Sequence, residues 1–272
     1  MQAILYVGHG SRVQAGNDEL MAFVKKAQKA HPHITIQECC FLELAKPTID
    51  EGVTACIEQG ATQIAVIPVL LLTAGHAKVD IPAEIDRIKE KHPNISFTYG
   101  KPIGVEQTVV TIIQDRLKSA GLSLVDGRPK YEERQPISIL LVGRGSSDPD
   151  NTSDLMKIAR LVWEYTPVSE VEVCFLAAAR PNVDEGLQRV QRFEHKTVYV
   201  VPYLLFTGVL MESLQKKLES NTTDCTFILC DYLGFDDQLI SVLARRAAEV
   251  LDREVQVNCD TCQFRLAFAN EA

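Results

Sequence analysis

Leu5-Tyr6-Val7-Gly8-His9-Gly10-Ser11 returns 135 residues later as Leu140-Leu141-Val142-Gly143-Arg144-Gly145-Ser146. Working outward, Cys40-Phe41-Leu42-Glu43-Leu44-Ala45-Lys46-Pro47 is echoed by Cys174-Phe175-Leu176-Ala177-Ala178-Ala179-Arg180-Pro181 at a shift of 134. The apolar run from Ile64 to Thr73 is echoed by Val198 to Thr207 at that same shift of 134. Three segments in one order at one spacing identify a duplicated domain, since the period is far above the roughly 20 to 50 residues of solenoid repeats. Within each half, short β-branched runs alternate with amphipathic stretches, the pattern of βαβ units on a parallel sheet. Strands are expected near 2–7, 35–41, 63–69 and 95–99, and again near 137–142, 171–176, 197–202 and 225–230. Helices are expected near 16–30, 47–59, 79–91 and 105–119, then 151–165, 182–193, 209–219 and 236–252. The fold class is therefore α/β, with two tandem doubly wound four-stranded parallel-sheet domains. They are expected at 1–122 and 137–252, with a linker at 123–136, where Asp126-Gly127-Arg128-Pro129 and a charged run break the periodicity, and a tail at 253–272.

The 272 residues carry 28 Lys and Arg against 36 Asp and Glu, a net charge of −8, which argues against gripping nucleic acid or anionic membrane through bulk electrostatics. The longest apolar runs, Ile64 to Gly75 and Val198 to Leu210, are interrupted by proline and fall short of the roughly 20 residues that cross a bilayer. The N-terminus has neither a basic region nor a small-residue cleavage site and reads as a first strand, so a cytoplasmic location is expected. Eight cysteines without a secretory signal read mostly as small buried thiols.

In doubly wound sheets the ligand site lies outside the carboxyl ends of the strands. There the first half places His9 after its first strand, Glu43 after its second and His76 in the loop after its third. Two imidazoles and a carboxylate suit a borderline divalent ion such as Fe, Co, Ni or Zn, and can also accept protons near neutral pH. The second half puts Arg144, Ala177 and Leu210 at the matching positions, so the scaffold is repeated and these three groups are not. Gly8, Gly10, Ser11, Pro47, Gly52, Pro68 and Thr73 all have echoes, for which a structural role suffices. His31, His33, His92 and His195 sit at expected helix ends and read as surface histidines.

The Gly8-His9-Gly10-Ser11-Arg12 turn, the Phe41-Leu42-Glu43 segment, the run from Pro68 to His76 and the duplication together resemble the class II tetrapyrrole chelatases. The likeness is to the two-domain sirohydrochlorin ferrochelatases, relatives of the sirohydrochlorin cobaltochelatases, and extends to about Leu251. It implies that His9 and His76 lie in an interdomain cleft, bind the incoming metal and help remove the pyrrole protons, with Glu43 assisting. It also implies that Leu71, Leu72, Thr73, Ala74 and Gly75 line the macrocycle pocket, and that Ser11, Arg12 and Arg144 contact the substrate. Sirohydrochlorin carries eight carboxylates, so an acidic protein must meet it with local cations, for which Arg12, Lys46, Lys78, Arg144 and Arg180 are candidates by position.

The expected activity is insertion of Fe2+ into sirohydrochlorin to give sirohaem, by a monomer with no permanently bound cofactor and no nucleic-acid or membrane partner. The metal is a substrate, with Co2+ or Ni2+ as further candidates; a cobaltochelatase and a non-catalytic metal or tetrapyrrole carrier are the alternatives. A histidine phosphatase would need arginine directly before the histidine, where Gly8 stands. Beyond the repeat, Cys259 and Cys262 form a lone C-x-x-C pair. Some chelatase relatives carry a cluster motif there, but Val257 replaces its methionine and two thiolates make only half a cluster site, so a redox-inert or docking tail is expected.

Overall fold

A computed structural model describes residues 1–253 apart from 207 and 222. In chain order it contains β1 (Gln2–Gly8), α1 (Gln14–Ala27), β2 (Ile36–Phe41), α2 (Ile49–Glu58), β3 (Gln63–Pro68), α3 (Ile81–Lys91), β4 (Ser96–Tyr99) and α4 (Gln107–Ser119). The second half repeats the series as β5 (Gln135–Gly143), α5 (Pro149–Tyr165), β6 (Val168–Phe175), α6 (Val183–Gln191), β7 (Thr197–Tyr203), α7 (Val209–Glu219), β8 (Thr226–Leu229) and α8 (Gln238–Leu251). The strands form two four-stranded sheets, ordered β2-β1-β3-β4 and β6-β5-β7-β8, with every pairing parallel. The expected C-x-x-C pair at Cys259 and Cys262 lies outside the described residues, as does Thr207.

Parallel strands covered on both faces read as unbroken apolar runs, and β1 is buried from Ala3 to Gly8. On one face Ala3, Leu5 and Val7 pack with Ile49, Val53 and Cys56 of α2 and Ile81, Ile85 and Ile88 of α3. In the other sheet Leu140 and Val142 pack likewise with Val183, Leu187 and Val190 of α6 and Leu214 of α7. Helices α2 and α6 start alike: Thr48 and Asn182 accept from the backbone N–H of Glu51 and Glu185, whose carboxylates accept from the capping backbones in return. That backbone bond, followed by Lys46, holds the Glu51 carboxyl below the usual carboxylate range; for Glu185 the Arg180 guanidinium is the larger cause.

The division into units differs from the boundary expected at 122 and 137. Among the described residues, one unit comprises Met1–Gly104 and 237–253; the other comprises Val105–Asp236. Thus α4 packs on α5 and β7, while α8 covers β3 and lies against α1. A guanidinium fixes each exchange. Arg246 of α8, 5% exposed, donates to the carbonyls of Pro102 (3.1 Å) and Ile103 (2.7 Å) and to Glu249 (2.8 Å). Arg116 of α4 does the same for Tyr232 (3.0 Å), Leu233 (2.7 Å) and Asp236 (2.8 Å). In both units the carbonyls leave the last strand of the sheet without ladder partners, and an arginine supplies the missing donors.

Other expectations are corrected. Residues 123–136 are not a linker throughout: Gln135 and Pro136 begin β5, and Arg134 donates to the carbonyls of Trp163 (2.9 Å), Thr166 (3.1 Å) and Val168 (2.8 Å). His31 is buried, with a ring nitrogen 2.9 Å from the Ala244 carbonyl of α8, because the helix that covers it comes from the far end of the chain. His195 is half-buried and bonds the Ser138 hydroxyl at 2.9 Å. The six cysteines among the described residues are free thiols; burial, with Glu38 nearby, pushes Cys39 and Cys56 up to about 12.

Replacing Arg246 with alanine should leave two buried carbonyls unpaired and lower stability by about 2–4 kcal/mol. Lys26→Ala, which removes an exposed pair with Asp237, should cost less than about 1 kcal/mol. Denaturant midpoints of the two variants give the comparison, and equal losses would contradict the buried anchor.

Candidate active site

The strand order places β1 between β2 and β3, so the chain reverses direction across the sheet between β1 and β3. In open parallel sheets a switch point of this kind is where ligands bind, beyond the carboxyl ends of the strands. Glu43 follows β2, His9 follows β1 and His76 follows β3, which brings three residues distant in sequence onto adjacent strand ends.

A backbone joint sets the first two. Beyond the last β1–β2 pair, Gly8 with Phe41, the Leu42 N–H donates to the Gly8 carbonyl (2.8 Å) and the Glu43 N–H to the His9 carbonyl (3.0 Å). The joint needs Gly10: its φ is +91°, and a Cβ there would lie 1.8 Å from the Glu43 carbonyl oxygen. The second unit keeps the joint, with Leu176 on Gly143 (2.9 Å) and Ala177 on Arg144 (2.8 Å), and Gly145 at φ +90°. The scaffold is the same and the donor atoms are gone.

His9 Nδ1 lies 2.9 Å from the Gly10 carbonyl. A carbonyl can only accept, so Nδ1 carries a proton, and in the neutral ring Nε2 then holds the lone pair. Nε2 in turn lies 3.4 Å from Glu43 Oε1, with the His9 side chain 19% exposed. A lone pair facing a carboxylate calls for a proton or a cation between them. His76 brings a third donor: its Nδ1 is 2.7 Å from Asp80 Oδ2, which puts a proton on Nδ1 and, in the neutral ring, leaves the lone pair on Nε2. The two rings meet edge to face, centroids 4.7 Å apart at 85°. One ligand atom from each of His9, Glu43 and His76 lies within 4.8 Å of the others. Bonds of about 2.1 Å to a shared ion span up to about 4.2 Å, so small side-chain rotations would be needed to close the set around one metal.

His76 stands not in a loop, as expected, but in a π-helical turn, His76–Asp80, that runs directly into α3. The Ala74 carbonyl accepts from the Ala77 and Lys78 N–H groups at 2.9 and 3.0 Å, and the Tyr99 hydroxyl of β4 donates to the Ala77 carbonyl at 2.8 Å. The contacts of Asp80 with His76 and of Tyr99 with the turn were missed by sequence reasoning. The i, i+4 spacing of His76 and Asp80 was a readable signal; nothing in the sequence links Tyr99 to the turn.

The other expected site residues are spread more widely. The Ser11 hydroxyl accepts from the Val13 N–H (3.0 Å), an arrangement repeated by Ser146 and Asp148. Arg12 is exposed, without an ion pair among the described residues. Arg144 is also exposed and belongs to the second unit. Lys46 and Arg180 pair with the capping carboxylates Glu51 and Glu185 in both halves, which fits a structural role. Lys78 is half-buried within the π turn. Of the run ahead of His76, Leu72 is 7% exposed and its side chain is spent on the core, whereas Leu71, Thr73, Ala74 and Gly75 are half-buried. Gly75 has helical φ −47° and ψ −45°, and a Cβ there would meet nothing within 4 Å, so the fold itself does not demand a glycine.

The CbiX family profile matches residues 3–120 and again 138–250, once in each half. A sirohydrochlorin ferrochelatase of Priestia megaterium is 47% identical over 92% of this chain and 91% of its own. A sirohydrochlorin cobaltochelatase of the same organism is 41% identical over 98% of this chain and 85% of its own. Among solved structures, SirB from Bacillus subtilis with Fe3+ superposes with a TM-score of 0.81 at 42% identity, covering 94% of this chain and 98% of that one. The repeated scaffold, the three converging donors and these matches along nearly the whole length agree, and the chain belongs to the CbiX family of class II chelatases.

Proposed function

We propose that this protein is a sirohydrochlorin ferrochelatase, inserting Fe2+ into sirohydrochlorin to give sirohaem. The observation that carries the reading is the convergence of His9, His76 and Glu43, with one ligand atom of each within 4.8 Å of the others and both Nδ1 atoms engaged. Metallation requires the ion to shed water, two pyrrole protons to leave and the ring to bend so that its lone pairs face the metal. Three protein donors hold the ion during partial dehydration and leave coordination positions open, where a closed four-donor cage would retain it. The imidazoles then serve as proton acceptors as the metal moves to the macrocycle. Gly75 leaves open space next to His76, which suits the approach of a flat ring. Exposed Arg12 is a nearby cation for the substrate carboxylates.

Cobalt is the second reading, favoured by the cobaltochelatase relative that spans 98% of this chain. A His₂-carboxylate set orders first-row ions by the Irving–Williams series and does not by itself select iron. The greater identity to the ferrochelatase relative, 47% against 41%, supports iron. No helix among the described residues is long and apolar enough to cross a membrane. A monomer working in the cytoplasm, with the metal as substrate and no resident cofactor, completes the proposal.

Absorbance of sirohydrochlorin with Fe2+ or Co2+ at matched free metal should show repeated turnover. His9→Ala and His76→Ala should each reduce the rate at least about 100-fold with unchanged circular dichroism, and Glu43→Gln should have a smaller effect. Stoichiometric binding without turnover would favour a carrier and overturn the reading.

A bulky side chain at Gly75 should separate the two substrates. Gly75→Leu is expected to raise KM for sirohydrochlorin about tenfold or more while Co2+ binding to the metal-free protein stays at the wild-type level. An unchanged KM would remove that segment from the macrocycle site.

A further inference from the structure

The π turn that carries His76 has no counterpart among the described residues of the second unit. From Cys40 to Thr73 the halves match at a shift of 134, but the core-facing helix positions beyond the turn, buried Ile81 and Ile85 in one half, correspond to buried Leu214 and half-buried Leu218 in the other at a shift of 133. The first half therefore holds one extra residue between these points, and a π turn is how a helix absorbs one. The twin helix α7 is regular from Val209 and bears neither histidine nor aspartate on its first turn. The insertion is thus not a need of the scaffold; it accompanies His76 and Asp80.

Within that turn Asp80 comes round beneath His76 and accepts its Nδ1–H at 2.7 Å, although the Asp80 side chain is 51% exposed and serves no core. The two imidazoles of the site are held differently: His9 donates to a neutral carbonyl, His76 to a carboxylate. On the metal-binding reading given above, we propose that Asp80 is a positioning residue for His76. It selects the Nδ1–H tautomer, aims Nε2 at the ion shared with His9 and Glu43, and strengthens Nε2 as a donor, while the Tyr99 hydroxyl on the Ala77 carbonyl keeps the turn from relaxing.

The test uses the full-length protein without tetrapyrrole, with Co2+ as the probe. Visible absorption titrations measure affinity, and long-range 15N–1H spectra of the histidines report the His76 tautomer in the metal-free state. Asp80→Ala should weaken Co2+ binding about 10- to 100-fold and release His76 into a mixture of tautomers, with the thermal midpoint unchanged. Asp80→Asn, which retains an acceptor oxygen, should keep the Nδ1–H tautomer and lose less affinity. In turnover, Asp80→Ala should raise KM for the metal and leave KM for sirohydrochlorin as it was. An alanine variant with wild-type affinity and a wild-type tautomer would overturn the proposal. Failure of the wild-type protein to bind Co2+ would instead strike the metal-site reading, and the tautomer spectra would still decide the role of Asp80.

Discussion

Backbone touches backbone where the first two strands leave the sheet, and the active rim is built on that contact. The Glu43 carbonyl fills the space where a side chain at residue 10 would begin, 1.8 Å from the Cβ that glycine lacks. This close approach lets the two exits continue the ladder past its last regular pair, with Leu42 bonded to Gly8 and Glu43 to His9. Because both bonds are made by main chain, the identities of the side chains they carry are free to vary. One unit presents a histidine and a glutamate on the joint, and the other presents Arg144 and Ala177 on the same frame.

The duplication therefore serves as an internal control on which features belong to folding and which to chemistry. The capping boxes at Thr48 and Asn182, the serine turns at Ser11 and Ser146 and the left-handed glycines at 10 and 145 appear twice, as expected of parts that the sheet and its helices need. Among the described residues, the imidazoles of the site, their carboxylate neighbours and the π turn appear in the first half alone. A helix that gains a residue gives up regular hydrogen bonding, and here the irregular turn is restrained by Tyr99 from a neighbouring strand and by its own His76–Asp80 pair. The fold tolerates the turn because the helix resumes its buried register at Ile81.

Much of this was readable in advance. The β-strands are near-continuous apolar runs, so their positions fell within one to three residues of those observed; the extra length of β5 and β6 arose at their polar starts, where Gln135 bonds the Pro167 carbonyl. His9 and Glu43 were legible as site residues because parallel sheets present their chemistry at strand ends, and the repeat showed which polar groups the scaffold could do without. His76 was found for the same reason, although not its π turn, which adds one residue without changing the amphipathic pattern around it. The exchange of α4 and α8 was not legible. An amphipathic helix declares which of its faces is buried, but not which sheet it covers, and the burial of His31 under α8 was missed for that reason.

Periodicity, turn chemistry and repetition are written among residues close together in the chain, and they sufficed for the doubled α/β scaffold and for the half that bears the reactive groups. The meeting of those groups is another matter. The 3.4 Å approach of His9 to Glu43 and the 4.7 Å between the imidazole rings depend on how three strands lie side by side, while the contact of each Nδ1 depends on the local turn that brings a carbonyl or carboxylate to it. The His9–Glu43 and His9–His76 contacts join residues more than thirty positions apart, and only the packed sheet brings them together.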